Sequence, residues 1–274
     1  MLCAMSLDDA AAGALQKSSS WSLAGRFERA LILSSDGDAA MVSIVRHDVP
    51  DGPYTVRLDF SGPLDLRTID TAPQLDISSA KRWRVAPVTP GEAVDAAELT
   101  RRLLLLELIG ERAAGPARGW SEVISLDELD GLQTALSTDD LSRATGVAAR
   151  IAGLGPGLTP SGDDLLAGAM GFHAWAEAAG HADTGGPMRA AISDAAVPRT
   201  TRLAGQLLRA AAGGHVAAPV VALLSSIFRR DRAFPPDLAP ILAIGETSGA
   251  DMLAGIRLAG RAQLQRRRLE GALA

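Results

Sequence analysis

Apolar and polar residues change their period near residue 90. Upstream the apolar runs are short and strand-like. Arg29-Ala30-Leu31-Ile32-Leu33-Ser34 and Ala40-Met41-Val42-Ser43-Ile44-Val45 flank Asp36-Gly37-Asp38, and two apolar runs about an Asp-Gly turn predict a β-hairpin. Pro50-Asp51-Gly52-Pro53 marks the next turn. After it, the alternation in Tyr54-Thr55-Val56-Arg57-Leu58-Asp59-Phe60 predicts a strand with one wet face. Trp83-Arg84-Val85 supplies a further short strand. Ala86-Pro87-Val88-Thr89-Pro90-Gly91 neither continues a strand nor opens a helix, which sets a domain boundary there.

Beyond that boundary the period is helical. Leu99, Leu103, Leu106 and Ile109 recur at three- and four-residue steps, so residues 93–109 should lay one apolar face on a core. Ser125-Leu126-Asp127-Glu128 and Ser137-Thr138-Asp139-Asp140 read as N-caps with acids in the first turn. Further helices are predicted over 187–197, 201–212, 216–230, 236–243 and from 248 to about 265. The expected architecture is α+β: a β-rich N-terminal domain over 1–90, then a larger, mostly α-helical domain over 91–274.

Composition narrows the classes of function. With 274 residues, 47% hydrophobic and 22% charged, the chain can bury a sizeable core. A net charge of -5 argues against a nucleic-acid partner, whose binding draws on clustered Lys and Arg. The one basic run, Arg266-Arg267-Arg268, reads as a solvated last helical turn favoured by the helix dipole. Cys3 is the single cysteine, so no intramolecular disulfide and no multi-cysteine metal site is expected, and a reducing cytoplasm suits the chain. The first twenty residues carry Asp8, Asp9 and Lys17 and no continuous apolar segment, unlike a signal peptide. The apolar stretch from Val216 to Phe228 falls short of the ~20 residues a bilayer needs, so no membrane partner is expected.

Candidate chemistry concentrates in Gly153-Leu154-Gly155-Pro156-Gly157-Leu158-Thr159-Pro160-Ser161-Gly162-Asp163-Asp164, dense in glycine and proline and set directly before an apolar helix. Glycine opens backbone conformations closed to other residues and admits a close neighbour. The backbone N–H groups of Ser161, Gly162 and Asp163 should stand in the first turn without intrahelical partners, a place where an anion can bind. A structural reading competes: Ser161-x-x-Asp164 has the form of a capping box. The loop is neither a P-loop, because the Lys before the Ser/Thr is missing, nor a dinucleotide fingerprint, because no βαβ context precedes it.

The motif returns. Ser161-Gly162-Asp163-Asp164-Leu165-Leu166-Ala167-Gly168 and Ser248-Gly249-Ala250-Asp251-Met252-Leu253-Ala254-Gly255 agree at six of eight positions. In a chain this rich in Ala, Leu and Gly the match alone is close to chance, but both copies fall at an inferred helix start and both carry an Ala-Gly pair one turn on, where helices can approach closely. If the two starts converge, Ser161, Ser248, Asp164 and Asp251 surround one pocket suited to a small polar anion. Otherwise they are two capping boxes on packed helices.

Other chemistry is less well supported. His47, His173, His181 and His215 include no i, i+4 pair for a helical zinc site, and no Gly-x-Ser-x-Gly surrounds Ser161. No cofactor is expected, although Asp163, Asp164 and Asp251 have the chemistry to hold Mg²⁺; Asp163, which differs between the copies, is the weakest ligand among them. Thr200, Thr201 and Arg202 follow Pro198 at another helix start and offer hydroxyls and a planar cation, with capping as the simpler role for the threonines. The candidate binding residues are therefore Gly155, Gly157, Thr159, Ser161, Gly162, Asp163, Asp164, Thr201, Arg202, Ser248, Gly249 and Asp251. No residue is identified as catalytic.

The glycine-rich string, with Gly245-x-Thr247-Ser248-Gly249-x-Asp251-x-Leu253-x-Gly255, resembles the AllH family, and Gly25-Arg26-Phe27-Glu28-Arg29-Ala30 is similar to the family's opening strand region. The resemblance implies a link to oxamate carbamoyltransferase of anaerobic allantoin degradation, in which AllH is one of three kinds of subunit. That reaction exchanges oxalurate and phosphate for oxamate and carbamoyl phosphate. It implies the other subunits as partners and small anionic metabolites as ligands.

Overall fold

The computed structural model describes residues 2–36, 40–60, 64–113, 119–182 and 185–273. The chain divides into two compact units, Met1–Val85 and Ala86–Ala274. The fold is α+β, with a mixed seven-stranded sheet in the first unit and a helical second unit.

In the first unit β1 (Leu2–Asp8) runs directly into α1 (Asp9–Lys17). Then come β2 (Trp21–Arg26), β3 (Ala30–Ser35), β4 (Met41–Val45), β5 (Thr55–Leu58), β6 (Leu75–Asp76) and β7 (Lys81–Trp83). The sheet order is β2-β3-β4-β5-β1-β6, with β7 also paired to β1. Asp8 makes the turn from strand to helix: its Oδ2 accepts from the N–H groups of Ala10 and Ala11 at 3.0 and 3.2 Å and from that of Tyr54 at 2.8 Å. A carboxylate at this position satisfies first-turn donors that have no helical partner. The core of this unit gathers Leu7, Ala11 and Ala12 with Leu31, Leu33, Val42, Ile44, Val56, Leu58 and Leu66.

β3 and β4 form the predicted antiparallel pair, in register from Ala30 opposite Val45 to Ser34 opposite Met41. Gly37 and Asp38 of the predicted turn lie outside the described residues. β5 departs from expectation. Instead of showing a wet face it lies between β4 and β1, and Thr55, Val56 and Leu58 are all buried. The cause is β1, which the apolar pattern did not reveal and which covers the second edge of β5.

The second unit holds α2 (Ala96–Ala113), α3 (Trp120–Val123), α4 (Leu126–Thr138), α5 (Leu141–Ile151), α6 (Ser161–Ala178), α7 (Gly185–Ala196), α8 (Arg202–Ala212), α9 (Ala218–Phe228), α10 (Ala239–Leu242) and α11 (Ser248–Leu273). Ser125 and Glu128 form a full capping box at α4, Asp140 caps α5 and Thr201 caps α8. α6 is the central helix. Every residue from Ser161 to Ala176 is buried, as expected of a helix apolar on all sides, and α7, α8, α9 and α11 pack around it.

α11 runs beyond its predicted end near 265, which changes the role of the basic run. Arg266 holds the Asp139 carboxylate at 2.5 and 2.7 Å and the Leu136 carbonyl at 2.7 Å. Arg267 donates to the Ala96 carbonyl at 3.2 Å and meets His181 Nδ1 at 3.1 Å. These two arginines clamp neighbouring helices; they do not end a helix in water. Among the described residues no helix is long and apolar enough to cross a membrane.

Candidate functional site

The two copies of the repeated motif meet where α6 crosses α11. A Cβ placed on Gly168 would lie 2.1 Å from the Met252 carbonyl oxygen, and one on Gly255 would lie 1.9 Å from that of Leu165. Gly168 and Gly255 are equivalent in the repeat, as are Leu165 and Met252, so the crossing has an approximate two-fold relation. Backbone touches backbone on both sides, which only glycine permits. The helix starts repeat the pattern: a Cβ on Gly162 would stand 1.9 Å from the Ile151 carbonyl, and one on Gly249 would stand 1.8 Å from that of Ile241.

This crossing exchanges partners between the copies. Ser161 is the first residue of α6, following Pro160, and no side chain caps that helix. The Ser161 hydroxyl lies beside the Asp251 carboxylate, and the Ser248 and Thr159 hydroxyls lie beside that of Asp164. Thr159 Oγ1 and Ser248 Oγ are 3.3 Å apart. Each serine therefore faces the aspartate of the other copy, and among the described residues no hydrogen bond closes a capping box at α6. Asp251 Oδ1 also accepts the Trp120 N–H at 2.8 Å, with the Thr247 hydroxyl close by.

The first-turn N–H groups differ from expectation as well. Gly162 N–H donates to the Leu154 carbonyl at 3.0 Å, and Asp163 and Asp164 N–H groups donate to that of Pro160 at 3.0 and 3.1 Å. On α11, Gly249 N–H reaches the Ile244 carbonyl at 3.0 Å and Asp251 N–H that of Thr247 at 2.9 Å. The tight turns before both helices supply these acceptors, so most donors expected to face a ligand are already used.

The remaining predicted residues divide between anchoring the loop and lying at its surface. Asp163 accepts from Gly153 N–H, at 3.3 Å to each oxygen, and from the Thr200 hydroxyl at 2.5 Å. Thr201 Oγ1 donates to the Leu158 carbonyl at 2.5 Å while accepting the Ala204 N–H at 3.1 Å. The segment before α8 thus fastens the glycine-rich loop at two points. Gly155, with φ +116°, lies over the start of α6, where a Cβ would come 2.7 Å from Ser161 N. Gly157, also at positive φ, is exposed, and a Cβ there would meet open space. Arg202 is exposed at the first turn of α8.

Three carboxyl groups are thereby buried close together. Burial raises the proton affinity of Asp164 well above that of an ordinary carboxylate, and the charges of Asp251 and Asp163 add to it, against the lowering effect of Ser248 and Thr159. Burial also raises Asp251 and Asp163, opposed by the Trp120 N–H, Ser161 and Thr247 at the first, and by Thr200 and Gly153 N–H at the second. Desolvation penalises the charged form whenever hydrogen bonds do not fully replace water. Among the described residues no three His, Cys, Asp or Glu side chains are grouped to hold a metal ion; Asp163, turned to Gly153 and Thr200, does not join the other two in such a set.

Sequence reasoning missed Gly119 and Trp120. Gly119 has φ +82°, and a Cβ on it would come 2.5 Å from Asp251 Oδ1, so the glycine lets the Trp120 N–H reach that carboxylate. A Gly-Trp pair gives no recognisable signal for such a contact.

The model of the family described as "Oxamate carbamoyltransferase subunit AllH" matches residues 151–260. The matched segment begins at the end of α5, contains the glycine-rich loop and both serine–aspartate helix starts, and ends within α11. No solved structure matches the chain.

Proposed function

We propose that this chain is a subunit of a carbamoyl-transferring enzyme acting on oxamate or oxalurate and carbamoyl phosphate in the cytoplasm, as part of purine and allantoin breakdown. In this reading it works with the other subunits of that enzyme, and its small-molecule site is the crossing of α6 and α11. The observation that carries the reading is the extent of the family match. It brackets the loop and both repeat-related helix starts, and these are the residues that the fold brings together.

The ligand in this reading is a small carboxylated or phosphorylated metabolite. With so many first-turn N–H groups engaged internally, helix donors alone are a weak holder for it. A buried carboxyl group of raised proton affinity offers another, because in its neutral form it donates a hydrogen bond to an oxygen of the ligand. Thr159 and Ser248, both half-buried, place hydroxyls on the same cluster.

A second reading is favoured by the internal use of the first-turn N–H groups and the backbone-to-backbone glycine contacts: the crossing is a structural joint, and the chain serves the enzyme as a scaffold. Reconstitution with the other subunits separates the two. Phosphate-dependent cleavage of oxalurate should fall at least tenfold in a Ser161→Ala, Asp164→Ala double variant that still assembles. An unchanged rate in an assembled variant removes the site from the reaction and leaves the scaffold.

A further inference from the structure

Two oxygen atoms at the crossing are left over by every contact described above. Asp164 is 3% exposed and Asp251 0%, yet Oδ2 of each makes no hydrogen bond within the described protein. Buried polar atoms are paired as a rule, and an unpaired one calls for a specific explanation. Here there are two, at equivalent positions of the repeat, on carboxyl groups whose other surroundings are well supplied with donors.

Resting on the functional reading above, we propose that Asp164 and Asp251 together hold the carbamoyl group of the ligand, one carboxyl donating to its carbonyl oxygen and the other accepting from its NH2. A carbamoyl group presents one acceptor and two donors side by side, and a neutral carboxyl next to a carboxylate presents the complement. Asp164 takes the donor role. It is buried and stands near two other acids, which together strengthen its hold on a proton, and its Oδ2 has no partner among the described residues. Asp251, which receives the Trp120 N–H on Oδ1, keeps Oδ2 as the acceptor. Thr159 and Ser248, both half-buried with hydroxyl oxygens 3.3 Å apart, lie beside Asp164, and in this proposal the ligand approaches past them.

Such a pair distinguishes carbamoyl compounds from near-isosteric analogues, because a site built around N–H donors rejects a molecule that lacks them. Acetyl phosphate puts a methyl group where carbamoyl phosphate has NH2, and oxalate puts an anionic oxygen where oxamate has NH2. Calorimetric titration of the full chain in the cold should show carbamoyl phosphate and oxamate binding at least tenfold tighter than acetyl phosphate and oxalate. Asp251→Asn, which turns a donor toward the ligand, should reduce that preference to less than threefold. Equal binding of the paired analogues, or binding of inorganic phosphate alone with the same affinity, overturns the carbamoyl assignment while leaving a ligand site at the crossing. Absence of binding by all five compounds overturns the assignment and the site together. The comparison of ligands on the unsubstituted chain decides the matter even if the variant does not fold.

Discussion

Replacing Gly255 with alanine should drive α6 and α11 apart. The added Cβ would stand 1.9 Å from the Leu165 carbonyl oxygen, and because that atom belongs to the backbone of a buried helix it has no rotamer by which to escape. Relief requires the helices to separate by on the order of 1 Å, a gap that forfeits about a quarter to a half of each attractive contact. A buried leucine-sized side chain makes about 40–60 contacts of about 0.1–0.2 kcal/mol. Loosening the one layer around Leu165 and Leu253 therefore costs about 2–4 kcal/mol, at or above the usual range for overpacking. Urea unfolding at neutral pH measures it. Gly13→Ala in α1, where an added Cβ meets nothing within 4 Å, serves as the control and should stabilise by up to about 1 kcal/mol. Gly168→Ala should resemble Gly255→Ala, and the double variant should lose at least about 1 kcal/mol less than the two singles combined, since one separation relieves both clashes. A Gly255→Ala chain within about 0.5 kcal/mol of the parent, or singles that simply add, would refute the backbone-to-backbone crossing.

Two further substitutions test the surroundings. His173 is buried, with Nε2 unpaired among the described residues and its proton affinity lowered to about 4 by burial and, less, by the charges of Arg266 and Arg189. The unfolded chain then binds the extra proton between pH 6.5 and about 4, so stability falls as pH falls through that window, by up to about 3 kcal/mol. Asp163, Asp164 and Asp251, whose proton affinities are raised, act in the opposite sense. The test is accordingly the difference between parent and His173→Leu in urea midpoints at pH 4.5 and 7, and equal acid sensitivity would remove His173 as its source. Thr201→Ala removes both the α8 cap and the bond to the Leu158 carbonyl. It should cost about 1–2 kcal/mol and speed amide exchange in the 153–160 loop, and unaltered exchange there would show that the loop stands without it.

The sequence made the helical elements legible because their apolar spacing and caps are local. Ser125 and Glu128 announce α4 from four residues, and Thr201 announces α8 from its hydroxyl. β1 gave no such signal: the alternation in Leu2-Cys3-Ala4-Met5-Ser6-Leu7-Asp8 is too brief, and its partners β5, β6 and β7 lie far along the chain. The candidate cluster was half legible. Serine, aspartate and glycine at matched spacing marked both helix starts. The approach of each serine to the other copy's aspartate is a property of the crossing and of no single segment. The capping-box pattern pointed within each copy because local spacing cannot show which of two equivalent acids a hydroxyl will meet. The use of the first-turn N–H groups by the Leu154, Pro160 and Ile244 carbonyls was equally hidden, since it depends on how sharply the preceding loops turn.

The exchange of partners between α6 and α11 also fixes when the carboxyl cluster comes into being. Ser161 and Ser248 stand 87 positions apart, and closing so long a loop comes late compared with forming the helices between them. Until then Asp164 and Asp251 are ordinary solvated acids, ionised in mildly acidic solution. Closure withdraws them from water and raises their hold on protons. The cluster therefore gains its hold on protons in a late step of folding, opposite in sense to the release by His173, and the difference in proton uptake between the parent and an Asp164→Asn chain refolding in a weakly buffered solution with an indicator dye isolates it.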